Sequence, residues 1–170
     1  MAEIIYTSNA PEALGPYSQA IVTGNMVFTS GQIAINPATN TVEAADIEGQ
    51  TEQVMKNLEA VLTQAGSSFD KAVKTTCFLK NMSDFAAFNG IYGKYFTSKP
   101  ARSCVAVKEL PKDVLVEVEV IAEQSNILRR SKDCLTFSQI KYVRFNSKSN
   151  KKINYCEKNT IFLIDLYSLK

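Results

Sequence analysis

Three charged residues near the end of the chain's first 124 residues have types and spacing suited to chemistry. Arg102 lies in an extended segment, Ser103–Val107 with its preceding residues. Glu117 and Glu119 lie in the valine-rich run Val114–Ala122. A planar guanidinium grips a carboxylate through two parallel N–H bonds, a geometry that lysine does not reproduce. Arg102 is the only arginine among residues 1–124, against eight lysines. A carboxylate in a partly desolvated place can carry a proton to and from a reacting atom. The chain has no histidine. That excludes Ser-His-Asp and Cys-His nucleophile systems, histidine-ligated zinc and any imidazole base. The cysteines, Cys77, Cys104, Cys134 and Cys156, form no CxxC pair, so neither a zinc ribbon nor a dithiol redox motif is supported.

Positioning these groups falls to an alternation of strands and helices. Apolar residues at Ile47, Val54, Met55, Leu58, Val61, Leu62 and Ala65 predict a helix over Asp46–Ala65, capped by Asp46 and stopped at Gly66. Ser83–Phe96 predicts a second, with Ser83 as cap and an aromatic face of Phe85, Phe88, Tyr92, Tyr95 and Phe96. Gly90 and Gly93 on it suggest close packing against a sheet. Strands are expected at Ile4–Thr7, Ser18–Thr23, Met26–Ser30, Ala72–Leu79, Ser103–Val107 and Val114–Ala122, with a tight hairpin at Gly24-Asn25. The order β-β-β-α-β-α-β-β is an α+β plan with both helices on one face of a mixed six-stranded sheet. The other face then needs water or a partner. In the last two strands, period-two alternation puts Val114, Val116, Val118 and Val120 on one face and both glutamates on the other. A hairpin through Pro111 that pairs Val107 with Val114 would set Cys104 opposite Glu117 and Arg102 opposite Glu119, all in one patch.

Three segments resemble the RidA family (YjgF/YER057c/UK114), and specifically its RidA subgroup. They are Gly15-Pro16-Tyr17-Ser18-Gln19-Ala20, Ser30-Gly31-Gln32-Ile33, and Pro100-Ala101-Arg102-Ser103-Cys104-Val105 with Leu110-Pro111 and Val116-Glu117-Val118-Glu119 after it. The likeness covers about residues 3–124. It implies a chorismate-mutase-like fold and a homotrimer whose sheets line a central barrel, with ligand clefts between subunits. The implied activity is hydrolytic deamination of 2-imino and enamino acids, such as 2-iminobutanoate and 2-iminopropanoate, to 2-keto acids and ammonia, which protects pyridoxal-phosphate enzymes. No metal or organic cofactor is implied. By the resemblance, Arg102 binds the substrate carboxylate and Glu117 positions or activates water. Tyr17, Ser30 and Gly31 line the cleft, the Cys104 backbone meets the nitrogen end, and Asn89 adds a weaker contact. Lys99 stands where many members carry an aromatic residue, in a shortened segment 96–100. The alternatives are a non-catalytic carboxylate-binding or chaperone-like trimer and, less favoured, a single-strand-specific endoribonuclease.

Charge divides the chain. Residues 1–124 hold 9 basic and 14 acidic side chains, whereas residues 125–170 hold 10 and 3. An acidic domain disfavours nucleic acid, whose phosphates require basic surface. The tail has no glycine, proline or alanine and is rich in Lys, Asn, Ile and Phe. We expect 1–124 to be the domain and 125–170 a basic C-terminal extension, poorly folded or non-native. The alternative is a basic arm for nucleic acid or membrane. No run of about 20 apolar residues suggests a membrane span, and Glu3 with no early basic residue argues against a targeting signal. A cytoplasmic location is therefore expected.

Overall fold

The computed structural model describes residues 2–125 and the backbone of two short tail strands. In chain order its elements are β1 (Glu3–Ile5), β2 (Ala20–Thr23), β3 (Met26–Thr29), β4 (Gln32–Ile33), β5 (Ile35–Asn36) and β6 (Thr41–Val42). There follow α1 (Ile47–Gln64), β7 (Ala72–Leu79), α2 (Phe85–Tyr95), β8 (Ala101–Ala106) and β9 (Val116–Glu123). Both expected helices and all six expected strands form, and the fold is α+β. The sheet order is β1-β2-β3-β9-β7-β8, with β4 as a seventh strand that also pairs with β9. The β7–β8 pair is parallel and the other pairs in this sheet are antiparallel.

Local chemistry explains α1. The Asp46 carboxylate accepts from the Gly49 N–H at 2.7 Å, satisfying one of the donors a helix start leaves open. Gly66, at φ 73°, adopts the left-handed turn that ends the helix. The apolar stripe of α1 enters one core with Phe88 and Tyr92 of α2 and with Val116, Val118 and Val120 of β9, each at 1% exposure or less on β9. Helix α2 starts differently from expectation. A short 3-10 turn, Met82–Asp84, precedes it, the capping position is Asp84, and Ser83 does not cap. Gly90 and Gly93 do not pack against the sheet, because a Cβ on either would meet nothing within 4 Å.

The expected hairpin between the last two strands does not form. β7 lies between β8 and β9, pairing parallel with the first and antiparallel with the second. A strand–helix–strand crossover through α2 sets β8 parallel to β7, and β8's exposed pattern suits an edge. The valine face of β9 requires a central place. Residues between β8 and β9 instead pass over the end of β7, tied by Val107 N–H to Leu79 O (3.0 Å) and Lys80 N–H to Leu115 O (2.9 Å). In this link Lys112 and Asp113 are both left-handed, at φ 55° and 58°, and Lys80 holds the Asp113 carboxylate at 2.6 Å.

Contacts group the chain into two units, Met1–Leu128 and Arg129–Lys170. In the second, β10 (Tyr155–Glu157) and β11 (Thr160–Phe162) pair antiparallel. The expectation of a poorly folded or non-native extension otherwise lies outside the described residues. Among the described residues no helix is long and apolar enough to cross a membrane.

Candidate active site

The register of β8 on β7 decides where Arg102 goes. Arg102 aligns with Thr75, which aligns in turn with Val120, so Arg102 is on the face that carries the helices. There it meets residues 85, 89 and 92 of α2, a spacing that puts all three on one side of a helix. One guanidinium N–H donates to Asn89 Oδ1 at 2.7 Å. The guanidinium carbon stands 4.8 Å from the Tyr92 ring centre and 5.5 Å from that of Phe85. Asn89, expected at the ligand, holds the arginine.

The described side chains that contact this cation, Asn89, Phe85 and Tyr92, are neutral. Burial pushes the Cys77 thiol up to about 12, with the neighbouring Cys104 adding to the shift. Burial also raises the Tyr92 phenol and the Cys104 thiol, the latter against an opposing pull from Arg102. A thiol held protonated is a poor nucleophile, which leaves for Cys104 the backbone contact that the resemblance implies. Among the described residues the ion pairs are Lys80–Asp113, Lys94–Glu52 and Lys108–Glu109, and Arg102 is in none of them. It is an exposed cation that contacts Asn89 and two rings and is in no ion pair with a described residue. Strand β8 also has one edge without a strand partner among the described residues.

Glu117 is on the other face. It aligns with Ile33, Phe78 and Val105, while Glu119 aligns with Thr76 and Ser103. The expected single patch of Arg102, Glu117 and Glu119 is therefore split: the glutamates share one face and Arg102 has the opposite one. The cause is the intervening strand. With β7 between them, parity is counted through two ladders rather than across one hairpin.

The Glu117 carboxylate lies over Gly31. A Cβ built there would fall on the carboxyl group, with Cδ 2.7 Å away. The glycine is thus needed for the glutamate, a reason the sequence did not reveal. Burial, with the Glu119 charge second, raises the pKa of Glu117. Among the described residues no hydrogen bond or ion pair reaches its carboxylate. Beside it, a groove of about 150 Å³ is lined by Tyr17, Gly31, Gln32, Ile33, Pro111 and Lys112. Tyr17 is 53% exposed. Ser30 lies deeper and ties loops together: its hydroxyl donates to Ser18 O at 2.6 Å and its N–H to Gln19 O at 2.9 Å.

Buried amides that sequence reasoning passed over build this second half. Gln19, 2% exposed, accepts from Thr7 N–H at 2.7 Å and donates to the carbonyls of Thr7, Ala10 and Pro11, which shapes the loop carrying Tyr17. Asn57, 1% exposed, donates to Ile33 O and Ile35 O at 3.0 and 2.9 Å and fixes the bend after Gly31. Gln50 accepts from Leu115 N–H at 2.8 Å and holds the entry to β9. Asn57 was visible as a polar residue on the apolar stripe of α1, between Val54 and Val61. Among the described residues no cluster of three His, Cys, Asp or Glu side chains is placed to hold a metal.

Comparison with known proteins shows the family and the fold. Residues 7–124 match the family model described as endoribonuclease L-PSP. The chain is 52% identical to a RutC family protein of Pyrococcus horikoshii over 123 residues, covering 72% of this chain and 98% of that protein. It is 48% identical to the 2-iminobutanoate/2-iminopropanoate deaminase of Escherichia coli over 126 residues, 72% and 98% of the two chains. The crystal structure of Escherichia coli TdcF with bound serine superposes with a TM-score of 0.69 at 42% identity, covering 72% of this chain and 99% of that one.

Proposed function

The chain belongs to the endoribonuclease L-PSP (YjgF/RidA) family, and from that membership we propose that it hydrolyses 2-imino and enamino acids to 2-keto acids and ammonia. In this reading the substrates are small, 2-iminobutanoate and 2-iminopropanoate, and their removal protects pyridoxal-phosphate enzymes. The observation that carries the reading is a pair of uncompensated groups. Arg102 is a cation held by Asn89 and lacking an anionic partner among the described residues, and Glu117 is a half-buried carboxylate with a raised pKa. The serine bound to TdcF is likewise a small molecule with a carboxylate.

The substrate carboxylate docks on Arg102, which orients the imine carbon. Water adds to the carbon of the protonated imine and gives a proton to the Glu117 carboxylate. Glu117 then returns the proton to the amino nitrogen of the carbinolamine. The C–N bond breaks as the hydroxyl oxygen forms the keto C=O, and the hydroxyl proton leaves with the ammonia as ammonium. One water is consumed and Glu117 ends as it began. A raised pKa keeps the exchange near the operating pH. Tyr17 and the Gly31 backbone shape the groove beside Glu117.

Because Arg102 and Glu117 occupy opposite faces of one sheet, a working site joins two copies; the family resemblance makes that assembly a homotrimer with clefts between subunits. Support comes from the face without helices. Ile4, Ile21, Phe28 and Ile121 align across four strands there as an apolar row. Ile4 is 70% and Phe28 41% exposed, and apolar surface of this kind favours association.

The test is a coupled assay. A threonine dehydratase generates 2-iminobutanoate, and semicarbazide traps what escapes hydrolysis. Trapping is expected to slow in the presence of the chain and to return to its uncatalysed rate with Arg102→Ala. Unchanged trapping by a folded oligomer would rule the reading out and favour non-catalytic carboxylate binding.

A further inference from the structure

We propose that Tyr92 is a positioning residue for Arg102, its ring serving as the platform that holds the guanidinium ready for a ligand carboxylate. The inference rests on the proposed function only for the identity of that carboxylate.

Arg102 projects from an exposed edge strand. A long side chain in such a place samples many rotamers, and freezing it on binding costs affinity. Here the freezing is done in advance. The Asn89 amide oxygen takes one N–H at 2.7 Å, and the guanidinium carbon stands over two rings. Arginine has five N–H donors, so the Asn89 bond leaves most of them for a ligand.

Of the two rings, Tyr92 is the nearer and the better anchored. It is 7% exposed. Its hydroxyl is 2.8 Å from Thr75 Oγ1, its ring stacks on Phe96 at 4.4 Å, and it leans on Phe88 at 5.5 Å. Thr75 is the register partner of Arg102 itself. The strand that places the arginine therefore also pins its platform. Phe85, by contrast, opens α2 and is half-buried.

An aromatic face attracts a cation through its quadrupole, most strongly when water is excluded. It does so while adding no negative charge, unlike an aspartate in the same place. A carboxylate partner would compete with the ligand, whereas the ring orients the guanidinium and leaves its charge available. The neutral thiols of Cys77 and Cys104 beside it preserve that condition.

The experiment replaces Tyr92 in the full chain by Phe, 4-fluoro-Phe, 3,5-difluoro-Phe and 3,4,5-trifluoro-Phe. Fluorination weakens the ring quadrupole with little change of shape. Relative to Tyr92→Phe, KM in the coupled imine assay is expected to climb stepwise, by roughly 3- to 10-fold at trifluoro-Phe, with kcat nearly constant. A second readout does not depend on turnover: the amplitude of Arg102 Nε–H motion by nitrogen-15 relaxation, with the resonance assigned by its loss in Arg102→Lys. Arg102 is expected to be rigid with Phe at position 92 and to loosen across the series. A flat KM, or an arginine equally mobile in every variant, would overturn the proposal. If the chain hydrolyses no imine yet Arg102 loosens with fluorination, the proposed activity fails and the platform stands.

Discussion

Two variants that are each inactive should regain activity when they share an oligomer. Arg102→Ala removes the carboxylate anchor and leaves the Glu117 face intact, and Glu117→Ala does the reverse. Loss of a positioned acid–base group typically costs about 10²–10⁴-fold in rate, so each variant alone should fall near the background of the coupled assay. The size of the rescue follows from the sheet. Arg102 aligns with Thr75 and Val120 on one face, and Glu117 aligns with Phe78 and Val105 on the other. One chain therefore does not supply both groups to one cleft. In the proposed closed ring with repeated interfaces, each cleft would take Arg102 from one subunit and Glu117 from its neighbour. With the variants mixed in equal amounts, half the subunits carry an intact Arg102 and half an intact Glu117. About one quarter of the clefts then hold both, and activity should approach about one quarter of wild type. The mixture is made by co-expression with different tags, and mixed oligomers are confirmed by native mass spectrometry. Mixed oligomers with no more activity than either variant alone would refute the shared-cleft reasoning.

Four further outcomes follow from single contacts. Gly31→Ala puts a methyl group where the Glu117 carboxylate lies, so Glu117 must move from Cγ outward; stability should fall by about 1–2 kcal/mol, while kcat/KM falls roughly 10²-fold or more. Burial and Glu119 hold the Glu117 pKa above its ordinary value, so the folded chain binds that proton more tightly than the unfolded one. The stabilisation is complete below the ordinary carboxylate pKa and is lost as pH rises through the raised value. Urea melts should therefore show Glu117→Gln gaining on wild type at neutral pH, with the gain vanishing toward about pH 4. Gly90→Ala and Gly93→Ala meet open space on α2 and should each add about 0.5–1 kcal/mol, read as a higher Tm. Gln19→Ala strands Thr7 N–H and the carbonyls of Thr7 and Pro11 and should cost roughly 3 kcal/mol or more in chemical denaturation, at about 1–3 for each orphaned buried group.

Helix α1 was legible because three local signals agree: the Asp46 cap, one apolar stripe and Gly66 at the stop. Strand β9 was legible for a similar reason, since alternation of valine with glutamate leaves one possible buried face. Which strand lies beside β9 is a different kind of question. Period two fixes the parity of residues within a strand and says nothing about its neighbours, so a short link through Pro111 looked like a hairpin. The answer depends on competition for the central place, which β7 wins with its eight residues while the exposed β8 takes the edge. The resemblance drew attention to Arg102, Glu117, Tyr17 and Gly31. It did not show that Gly31 accommodates Glu117, that Asn89 serves Arg102, or that Gln19 and Asn57 hold the loops, because each of those is a contact made across the fold.

The separation of Arg102 from Glu117 has a physical use. Placed on one face, as the hairpin would have done, Arg102 would sit opposite Glu119 and diagonal to Glu117, within ion-pair reach of both. The Glu117 carboxylate would then be stabilised in its charged form and its pKa lowered, which would end its service as a proton carrier near neutral pH. The guanidinium would be occupied, and a substrate carboxylate would have to displace it. With a sheet between them, Arg102 rests on a neutral ring and a neutral amide, and Glu117 sits over a glycine with another glutamate near. Neither charge is spent in an ion pair among the described residues. In the proposed assembly, the approach of a second copy would bring them together, and a substrate's carboxylate and imine would occupy the space that an intrachain ion pair would have closed.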